Sequence, residues 1–378
     1  MRIGVLGGGA MGGVAARLIA RHADADLVVL DSDEARAQAI VGASGRGESR
    51  GVDVQSDGLR EAIQDLEVVC ACLPYRLNLP VMEAALEAGC HYADLGGLYH
   101  MTLRQLELDD RFREAGLTAL VGIGSAPGIT NLLARMGADR LDEVERVDLY
   151  NGSIDESGGF GVPYAPDTLL DEFTVPAMVF EDGELREVPP ASGVVRYAFP
   201  EPLGELEAVF TLHSEIATLP QTIEGVRHVR WRLALPPAVA AGFRLLVDLG
   251  LANEEPVEVD GSSVVPRELL LHLLRRLPAP SGPPRDHEVT IVEVGGTKGG
   301  RPSLFTGIAT FRPPPEGVSA GAFGTALPIA VAARWLAAGK VDPGVRPPET
   351  ALPADAFLED LVAEGIELSI SVEERVHA

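Results

Sequence analysis

Short apolar runs alternate with longer amphipathic stretches through the first third of the chain. The apolar runs predict strands, and the stretches between them, of about ten to fifteen residues, predict helices. The predicted strands are Arg2–Leu6, Leu27–Leu30, Val52–Val54, "VVCACLP", "HYADL" and "LTALVGI". The predicted helices are Met11–Arg21, Asp33–Ile40, Leu59–Asp65, one from Asn78 that stops at Gly89, and one capped by Thr102 that ends at Gly116. This order predicts β-α-β units, and therefore a Rossmann-type, doubly wound parallel sheet of the α/β class.

The pattern changes after Gly124, where Val-, Leu- and Phe-rich runs are separated by proline-rich connectors such as "PAPSGPP". The stretch "HEVTIVEVGGTKGGRPSLFTGIATF" predicts two strands around an exposed loop. Its "GGTKGG" does not match a phosphate-binding loop, because a strand follows where that motif requires a helix. This half is therefore predicted to be a second, α+β domain with an antiparallel sheet. The apolar stretch "TALPIAVAARWLAAG" predicts a helix that crosses back to the first domain.

Charge and cysteine content narrow the possible partners and compartment. The 378 residues include 31 Lys and Arg against 56 Asp and Glu, a formal net charge of −25. Such a surface repels a phosphate backbone, so we expect no nucleic-acid partner. Cys70, Cys72 and Cys90 lack metal-ligand spacing and predict a reduced protein without a metal site. With no leader pattern and no apolar run of about 18 residues, we expect a soluble, cytoplasmic protein that contacts no membrane.

A glycine-rich turn joins the first predicted strand to the first predicted helix. Gly7, Gly9 and Gly12 fit the dinucleotide-binding pattern G-x-G-x-x-G, in which the turn and the helix start at Ala10 and Met11 hold a pyrophosphate. Asp31 ends the second strand, where an acid accepts hydrogen bonds from the adenosine ribose and repels a 2′-phosphate. We therefore predict NAD as the cofactor in preference to NADP. In "CLPY", Leu73 and Pro74 are expected to pass beside it.

Two further loops follow predicted strands, at the sheet edge where open α/β proteins bind ligands. In "ADLGGLYH", Asp94 ends a strand, Gly96 and Gly97 leave room for a ligand, and His100 is a titratable side chain. Asp94 is either an acid or base in the chemistry or the cap of a turn. In "GIGSAPGITN", Pro127 leads into a helix whose N-terminus suits an anionic or carbonyl group.

Several stretches together resemble the saccharopine dehydrogenase family, especially the bacterial lysine 6-dehydrogenases. They are "YADLGG", "GSAPGITNLLARMGADRLDEVERVDLYNGSI", "FRLLVDLGL" and the tail "VRPPETALP". The resemblance implies a dinucleotide-binding domain over residues 1–125, to which residues 322–378 return. It also implies a substrate-binding and dimerisation domain over residues 126–321, and hence a homodimer. Pro127, in the "APG" of this resemblance, is expected beside the cofactor.

The same resemblance implies an NAD(P)-dependent oxidoreductase acting on the CH–NH2 or CH–NH group of an amino acid. Oxidative deamination of the lysine ε-amine is the first expectation. Loss of hydride beside an amine requires the neutral amine, so a base must remove a proton. Candidate acid and base groups are Asp94, His100, His213 and Glu215. Arg244 is a candidate partner for a substrate carboxylate.

Two other interpretations stay open. One is a saccharopine dehydrogenase, or an imine reductase of the carboxynorspermidine type. The other is a homologue that senses a nucleotide without catalysis, against which the glycine loop, Asp31 and the polar strand-end loops argue.

Overall fold

A parallel sheet forms the first layer of the computed structural model, which describes residues 1–157, 162–277, 282–315 and 317–374. Its strands and helices begin with β1 Arg2–Leu6, α1 Ala10–Ala20, β2 Asp26–Asp31, α2 Glu34–Ser44, β3 Glu48–Gly51, α3 Leu59–Ile63, β4 Val68–Ala71, α4 Asn78–Ala88, β5 His91–Asp94, α5 Leu98–Leu106, α6 Asp109–Glu114 and β6 Thr118–Leu120. A short 3-10 helix, Tyr75–Leu77, precedes α4.

The remaining elements are α7 Ile129–Asp139, β7 Glu143–Asp155, α8 Pro166–Thr174, β8 Ala177–Glu181, β9 Glu184–Val188, β10 Val195–Ala198, β11 Glu205–Phe210, α9 Glu215–Thr222, β12 His228–Ala234, α10 Pro237–Asp248, β13 Val257–Val259, β14 Ser262–Val264, α11 Pro266–Leu274, β15 Asp286–Lys298, β16 Arg301–Phe311, α12 Ala320–Ala337, β17 Gly344–Arg346, α13 Pro348–Ala351, α14 Ala354–Ala363 and β18 Glu367–Glu374.

The first sheet has the order β17-β6-β5-β4-β1-β2-β3, and every pairing is parallel. Its central strands are buried on both faces, which explains their continuous apolar runs. The order reverses beside β1, so the carboxyl ends of β1 and β4 open a crevice there. The predicted doubly wound fold is confirmed.

Two local predictions in this half are wrong. The third strand is Glu48–Gly51 instead of Val52–Val54, and it lies in a segment predicted as loop. As an edge strand it needs no apolar face, and Arg50 is instead ion-paired with Asp65. Thr102 does not cap a helix, because α5 already begins at Leu98 and buries Thr102 within it.

The second sheet has nine strands, with the order β10-β11-β12-β7-β15-β16-β18 and with β8 and β9 added at β12. The predicted hairpin is confirmed as β15 and β16, which pair as far as Lys298 and Arg301. The expected antiparallel sheet is in fact mixed, because β7 and β12 are parallel. The chain reaches β12 from β7 through α8, β8 to β11 and α9, and so enters it in the same direction.

Helix α12 connects the two layers. It packs on α1 and against β4 and β5 of the first sheet, and it also contacts β15 and β16 of the second. With 18 residues and a mean hydropathy of 1.3, it is the one helix among the described residues that is long and apolar enough to cross a membrane. The expectation that no apolar run reaches this length is therefore wrong. In this structure 72% of the helix is buried inside the protein.

The C-terminal residues divide between the layers. Helix α12 packs on α1, and strand β17 pairs with β6 in the first layer. Strand β18 instead pairs with β16 at the edge of the second sheet, which departs from the expected return of all residues 322–378 to the first domain. The division near residue 125 stays a prediction.

Candidate active site

A cavity of about 510 Å³ lies where the carboxyl ends of the parallel strands face the second sheet. The glycine loop, the segments after β4, β5 and β6, and the start of α12 form its first side. Residues from β7, α8, β12, β15 and the loop before α9 form the other side. Seven of the predicted site residues line it: Gly9, Ala10, Met11, Leu73, Pro74, Pro127 and His213.

The glycine loop has the shape that a dinucleotide requires. Gly7 has a φ of +94°, which favours glycine, and a Cβ on Gly12 would lie 1.8 Å from the Gly7 carbonyl oxygen. A Cβ on Gly9 would meet nothing within 4 Å, so that position opens into the cavity. No side chain caps the first turn of α1, which leaves its N–H groups for an anion. These residues fit the pyrophosphate of NAD(P).

Asp31 holds the same loop from the adjacent strand. Its Oδ2 accepts a hydrogen bond of 2.6 Å from Gly8 N–H, and its Oδ1 accepts one of 2.8 Å from Asp33 N–H. The Arg36 guanidinium lies 3.6 Å from Asp31 Oδ1 and is about half exposed. The carboxylate therefore shapes the glycine loop and also lies at the strand end where an adenosine ribose binds.

His213 is the predicted acid or base that the structure places in the cavity. Its ring stacks on Trp231 with centroids 3.8 Å apart, and its Nδ1 donates to the Glu215 carboxylate. Among the described residues, Nε2 has no hydrogen-bond partner. Burial lowers the pKa of His213, but the charges of Glu215 and Glu172 and the bond to Glu215 outweigh it, and the net pKa is raised. The imidazole is therefore able to hold a proton near neutral pH.

Glu215 acts through His213 in this arrangement. Its side chain is fully buried, does not line the cavity, and accepts a 2.7 Å hydrogen bond from Thr130 Oγ1. Thr130 lies in the first turn of α7, where Asn131 Oδ1 accepts from Gly128 N–H. The helix N-terminus expected to receive a substrate group is thus capped by its own side chain.

Glu172 on α8 is a cavity residue that the sequence did not single out. It is 3% exposed, and its Oε2 accepts a 2.8 Å hydrogen bond from the Tyr164 hydroxyl. Burial raises the pKa of the Glu172 carboxyl to about 7, although His213 and Tyr164 oppose the shift. The cavity therefore contains a carboxyl with a pKa of about 7 and an imidazole whose pKa is raised.

Glu288 on β15 is a second carboxylate that the sequence did not indicate. It lines the cavity, and its Oε1 accepts from Ser125 Oγ at 3.0 Å and from Asn151 Nδ2 at 2.9 Å. Burial raises the pKa of Glu288, and these two donors oppose the shift. Glu288 reaches Asn151 across the pairing of β7 with β15, a register that sequence pattern does not reveal.

The surroundings of Asp94 favour the turn-cap interpretation over a role as an acid or base in the chemistry. Asp94 is 0% exposed and lies outside the cavity lining. Its Oδ1 accepts from the N–H groups of Gly96 and Gly122, and its Oδ2 accepts from the Tyr92 hydroxyl and Gln105 Nε2. Four donors occupy the carboxylate and leave no oxygen for a substrate. A Cβ on Gly96 would lie 2.7 Å from the Pro127 ring, so glycine at this position leaves room for that ring.

We predict that Asp94→Asn lowers stability more than turnover. The Asn amide group would face Gln105 Nε2, now 2.6 Å from Asp94 Oδ2, and one buried hydrogen bond would be lost. The expected cost is about 1–3 kcal/mol of unfolding free energy. Urea denaturation checks this, with the exposed Asp110→Asn as control. A large loss of kcat in a variant with parental stability would restore Asp94 to the chemistry.

Two other predicted residues lie away from the cavity. His100 is exposed on α5 and contacts the Tyr99 ring edge-on. Arg244 on α10 lines a separate groove and lies 3.9 Å from Glu207. Neither lines the cavity that contains His213, and their assignment to the reaction stays a prediction. No group of three potential metal ligands occurs in the part of the chain that the structure describes.

Family comparisons cover most of the chain. Residues 3–120 match the model of the saccharopine dehydrogenase NADP binding domain, and residues 124–366 match that of the saccharopine dehydrogenase C-terminal domain.

Similar proteins include carboxyaminopropylagmatine dehydrogenase from Synechocystis, 24% identical over 288 residues and 72% of each chain. Carboxynorspermidine synthase from Vibrio cholerae is 26% identical over 302 residues and 72% of each chain. Among solved structures, apo saccharopine dehydrogenase (L-Glu forming) from Saccharomyces cerevisiae has a TM-score of 0.77 at 20% identity, covering 98% of this chain and 99% of that one. At this identity the structural match shows the fold.

Proposed function

The chain belongs to the saccharopine dehydrogenase family and is an oxidoreductase that uses NAD(P), and from this premise we propose that it reduces an imine formed between an amine and an aldehyde. One amine, one aldehyde, one NAD(P)H and one proton give a secondary amine, NAD(P)+ and water. The names of the relatives, a carboxynorspermidine synthase and a carboxyaminopropylagmatine dehydrogenase, support this reaction class.

The charge of the cavity is the observation that carries the proposal. Glu172 and Glu288 line it, and none of its described lining residues is Lys or Arg. Such a cavity stabilises a cationic nitrogen, in an ammonium substrate or in the iminium that precedes reduction. An alcohol or a keto acid would gain nothing from two carboxylates.

The protein's own groups supply the proton transfers. Glu172, with a pKa of about 7, takes a proton from the bound ammonium, so that the neutral amine attacks the aldehyde carbon. Protonated His213, held by Glu215, gives its proton to the hydroxyl that leaves as water. When bound, NAD(P)H would supply the hydride that the iminium carbon takes up. Once Glu172 has passed its proton to the now neutral His213, the Glu172 carboxylate stabilises the positive nitrogen until that hydride is taken up.

Oxidative deamination of lysine is the second candidate. It uses the same groups in reverse, but lysine also carries an α-carboxylate that needs a cationic partner. Arg244, the residue expected to serve, lies in another groove. The cavity's acidity therefore favours the imine reductase. The homodimer and the cytoplasmic location stay predictions.

The test of the proposed function is nicotinamide absorbance with purified protein. We expect NAD(P)H oxidation only when a primary amine and an aldehyde are both present, and a secondary amine by mass spectrometry. Reduction of NAD+ by lysine, without turnover of any amine and aldehyde pair, would replace the proposal with lysine deamination. No change with any of these mixtures would favour the nucleotide-sensing alternative.

We predict that NAD binds more tightly than NADP. At the end of β2, Arg36 lies 3.6 Å from Asp31 and 3.7 Å from Asp33, so two carboxylates surround one guanidinium. The net negative charge disfavours a 2′-phosphate. Titration of the protein with both oxidised cofactors measures the preference. A lower Kd for NADP would show that the positive charge of Arg36 outweighs the two carboxylates at the end of β2.

We also predict that the KM of the amine rises as the pH falls below about 7. Because the pKa of Glu172 is raised to about 7, its carboxyl becomes neutral below that pH and loses its attraction for an ammonium group. Initial rates between acidic and mildly alkaline pH measure the effect. In Glu172→Gln the KM is expected to be higher and to lose this pH dependence; a parental pH profile in that variant would contradict the assignment.

A further inference from the structure

One buried hydroxyl in the cavity has no protein partner. Ser214 is 4% exposed and lines the cavity, and its Oγ has no hydrogen-bond partner among the described residues. Ser214 occupies the N-cap position of α9, but its backbone is already helical, with φ −73° and ψ −29°, and its side chain does not cap the helix. A buried hydroxyl without a hydrogen bond costs free energy, and a ligand atom that bonds to it recovers that cost.

The hydroxyl of Ser214 lies at the boundary with the first sheet. A Cβ on Gly96 would lie 3.7 Å from Ser214 Oγ, and Gly96 follows β5 at the carboxyl edge of that sheet. Gly96 also lines the cavity. A residue of the second layer therefore presents a polar atom beside a strand-end segment of the nucleotide-binding layer.

The order of the first sheet indicates which half of the cofactor reaches this segment. A dinucleotide spans the crevice beside β1, with one nucleotide on each side of it. The adenosine ribose belongs at Asp31, on the β2 side. The nicotinamide half is therefore expected to extend toward the ends of β4 and β5, where Ser214 lies.

The Gly96 backbone is not available for a contact with that half. Its N–H donates to Asp94 Oδ1 at 2.8 Å, and its carbonyl accepts from Asn78 Nδ2 at 3.0 Å. The nicotinamide ring carries a carboxamide, which has two N–H donors and one carbonyl acceptor. A serine hydroxyl both donates and accepts, so Ser214 is able to bond to either end of that group.

Both chain neighbours of Ser214 are held in place. The His213 ring stacks on Trp231. The Glu215 carboxylate accepts hydrogen bonds from His213 and Thr130. The segment that carries the hydroxyl is therefore fixed before a ligand binds, which lowers the entropic cost of the contact.

We propose that Ser214 Oγ forms a hydrogen bond with the carboxamide of the bound nicotinamide ring. The second domain then takes part in binding a cofactor that the glycine loop of the first domain holds. Such a bond restricts rotation of the ring and so fixes which face of it is turned toward the substrate. The contact depends on NAD(P) binding alone and not on which amine reacts.

The cofactor affinity of Ser214→Ala tests this contact without turnover. The probes are NAD+ and ADP-ribose, which lacks the nicotinamide, or their 2′-phosphates if NADP binds more tightly; calorimetry measures both. We expect the variant to bind NAD+ about five- to tenfold more weakly, the effect of one hydrogen bond, and ADP-ribose with parental affinity. Ser303→Ala is the matched control, because Ser303 is 5% exposed on β16 but lies outside the cavity lining. It is expected to keep both affinities.

Thermal unfolding gives a second readout. Removal of a buried hydroxyl without a partner removes a desolvation cost, so cofactor-free Ser214→Ala is expected to melt at or above the parental temperature. A fixed concentration of NAD+ is expected to raise its melting temperature less than that of the parent.

Parental NAD+ affinity in Ser214→Ala, or an equal loss of affinity for ADP-ribose, would overturn the proposal. A cofactor-free variant that melts clearly below the parent would also overturn it, because the hydroxyl would then have a partner within the protein. If NAD+ binding depends on Ser214 but no amine and aldehyde pair is turned over, the contact stands and the proposed reaction fails.

Discussion

Replacement of His213 by Gln is expected to lower kcat by roughly 10²–10⁴-fold while the affinity for NAD(P) stays at the parental level. Glutamine cannot hold the proton that His213 is proposed to give to the leaving hydroxyl. The residues predicted to contact the cofactor, Gly9, Ala10 and Met11, belong to the glycine loop and the start of α1, so cofactor binding is expected to be unaffected. Stopped-flow measurement of nicotinamide oxidation gives the rate, and cofactor titration gives the affinity.

The matched control is His228→Gln. His228 Nδ1 also pairs with a glutamate, at 2.8 Å from Glu181 Oε2, but it lies on β12 outside the cavity. Glu215→Gln is expected to lower the pKa of His213 and so to move the alkaline limb of the pH profile to lower pH, a result that a purely structural role would not produce. A His213→Gln variant with turnover within a few-fold of the parent would remove the imidazole from the mechanism.

Replacement of Gly9 by Val is expected to weaken NAD(P) binding by at least about 100-fold without unfolding the chain. The side chain would occupy the opening where the pyrophosphate approaches the first turn of α1. The fold tolerates it because a Cβ at this position meets no atom within 4 Å and φ is −70°. Cofactor titration and circular dichroism measure the two effects separately.

Gly42→Val is the control for Gly9→Val, because its Cβ also meets nothing within 4 Å but it lies on α2, outside the cavity. We expect normal cofactor affinity for Gly42→Val. If Gly9→Val also binds with parental affinity, the glycine loop holds something other than a dinucleotide.

Local patterns were sufficient for five of the seven strands of the first sheet, β1, β2, β4, β5 and β6. Each of these five contains an apolar run, and the glycine loop shows the close approach of Gly12 to Gly7 within six residues of chain. Strand β3 was missed because an edge strand with Arg50 and Glu48 carries no apolar signal. Sequence pattern therefore predicts those features of the fold that residues close together in the chain determine.

The candidate site was only partly predictable, because its residues come from distant elements. The role of Asp94 was left open because an acid at a strand end has the same sequence signal whether it faces a ligand or accepts hydrogen bonds from Gln105 and Gly122. Glu288 gains its role through Asn151 and Ser125, which are more than 130 residues away. Only the packing of the second sheet on the first reveals such a site.

The path of the C-terminal chain bears on how such an enzyme can evolve. Helix α12 and strand β17 belong to the first layer, whereas β18 completes the edge of the second sheet. A single genetic recombination event near codon 125 would separate α12 from its native partners α1 and β4. The apolar faces that these elements bury against one another would then be exposed. Exchange of the nucleotide-binding half between relatives therefore requires the residues before about 125 and the segment with α12 and β17 to be inherited together. This requirement favours a change of substrate by point substitution within the cavity.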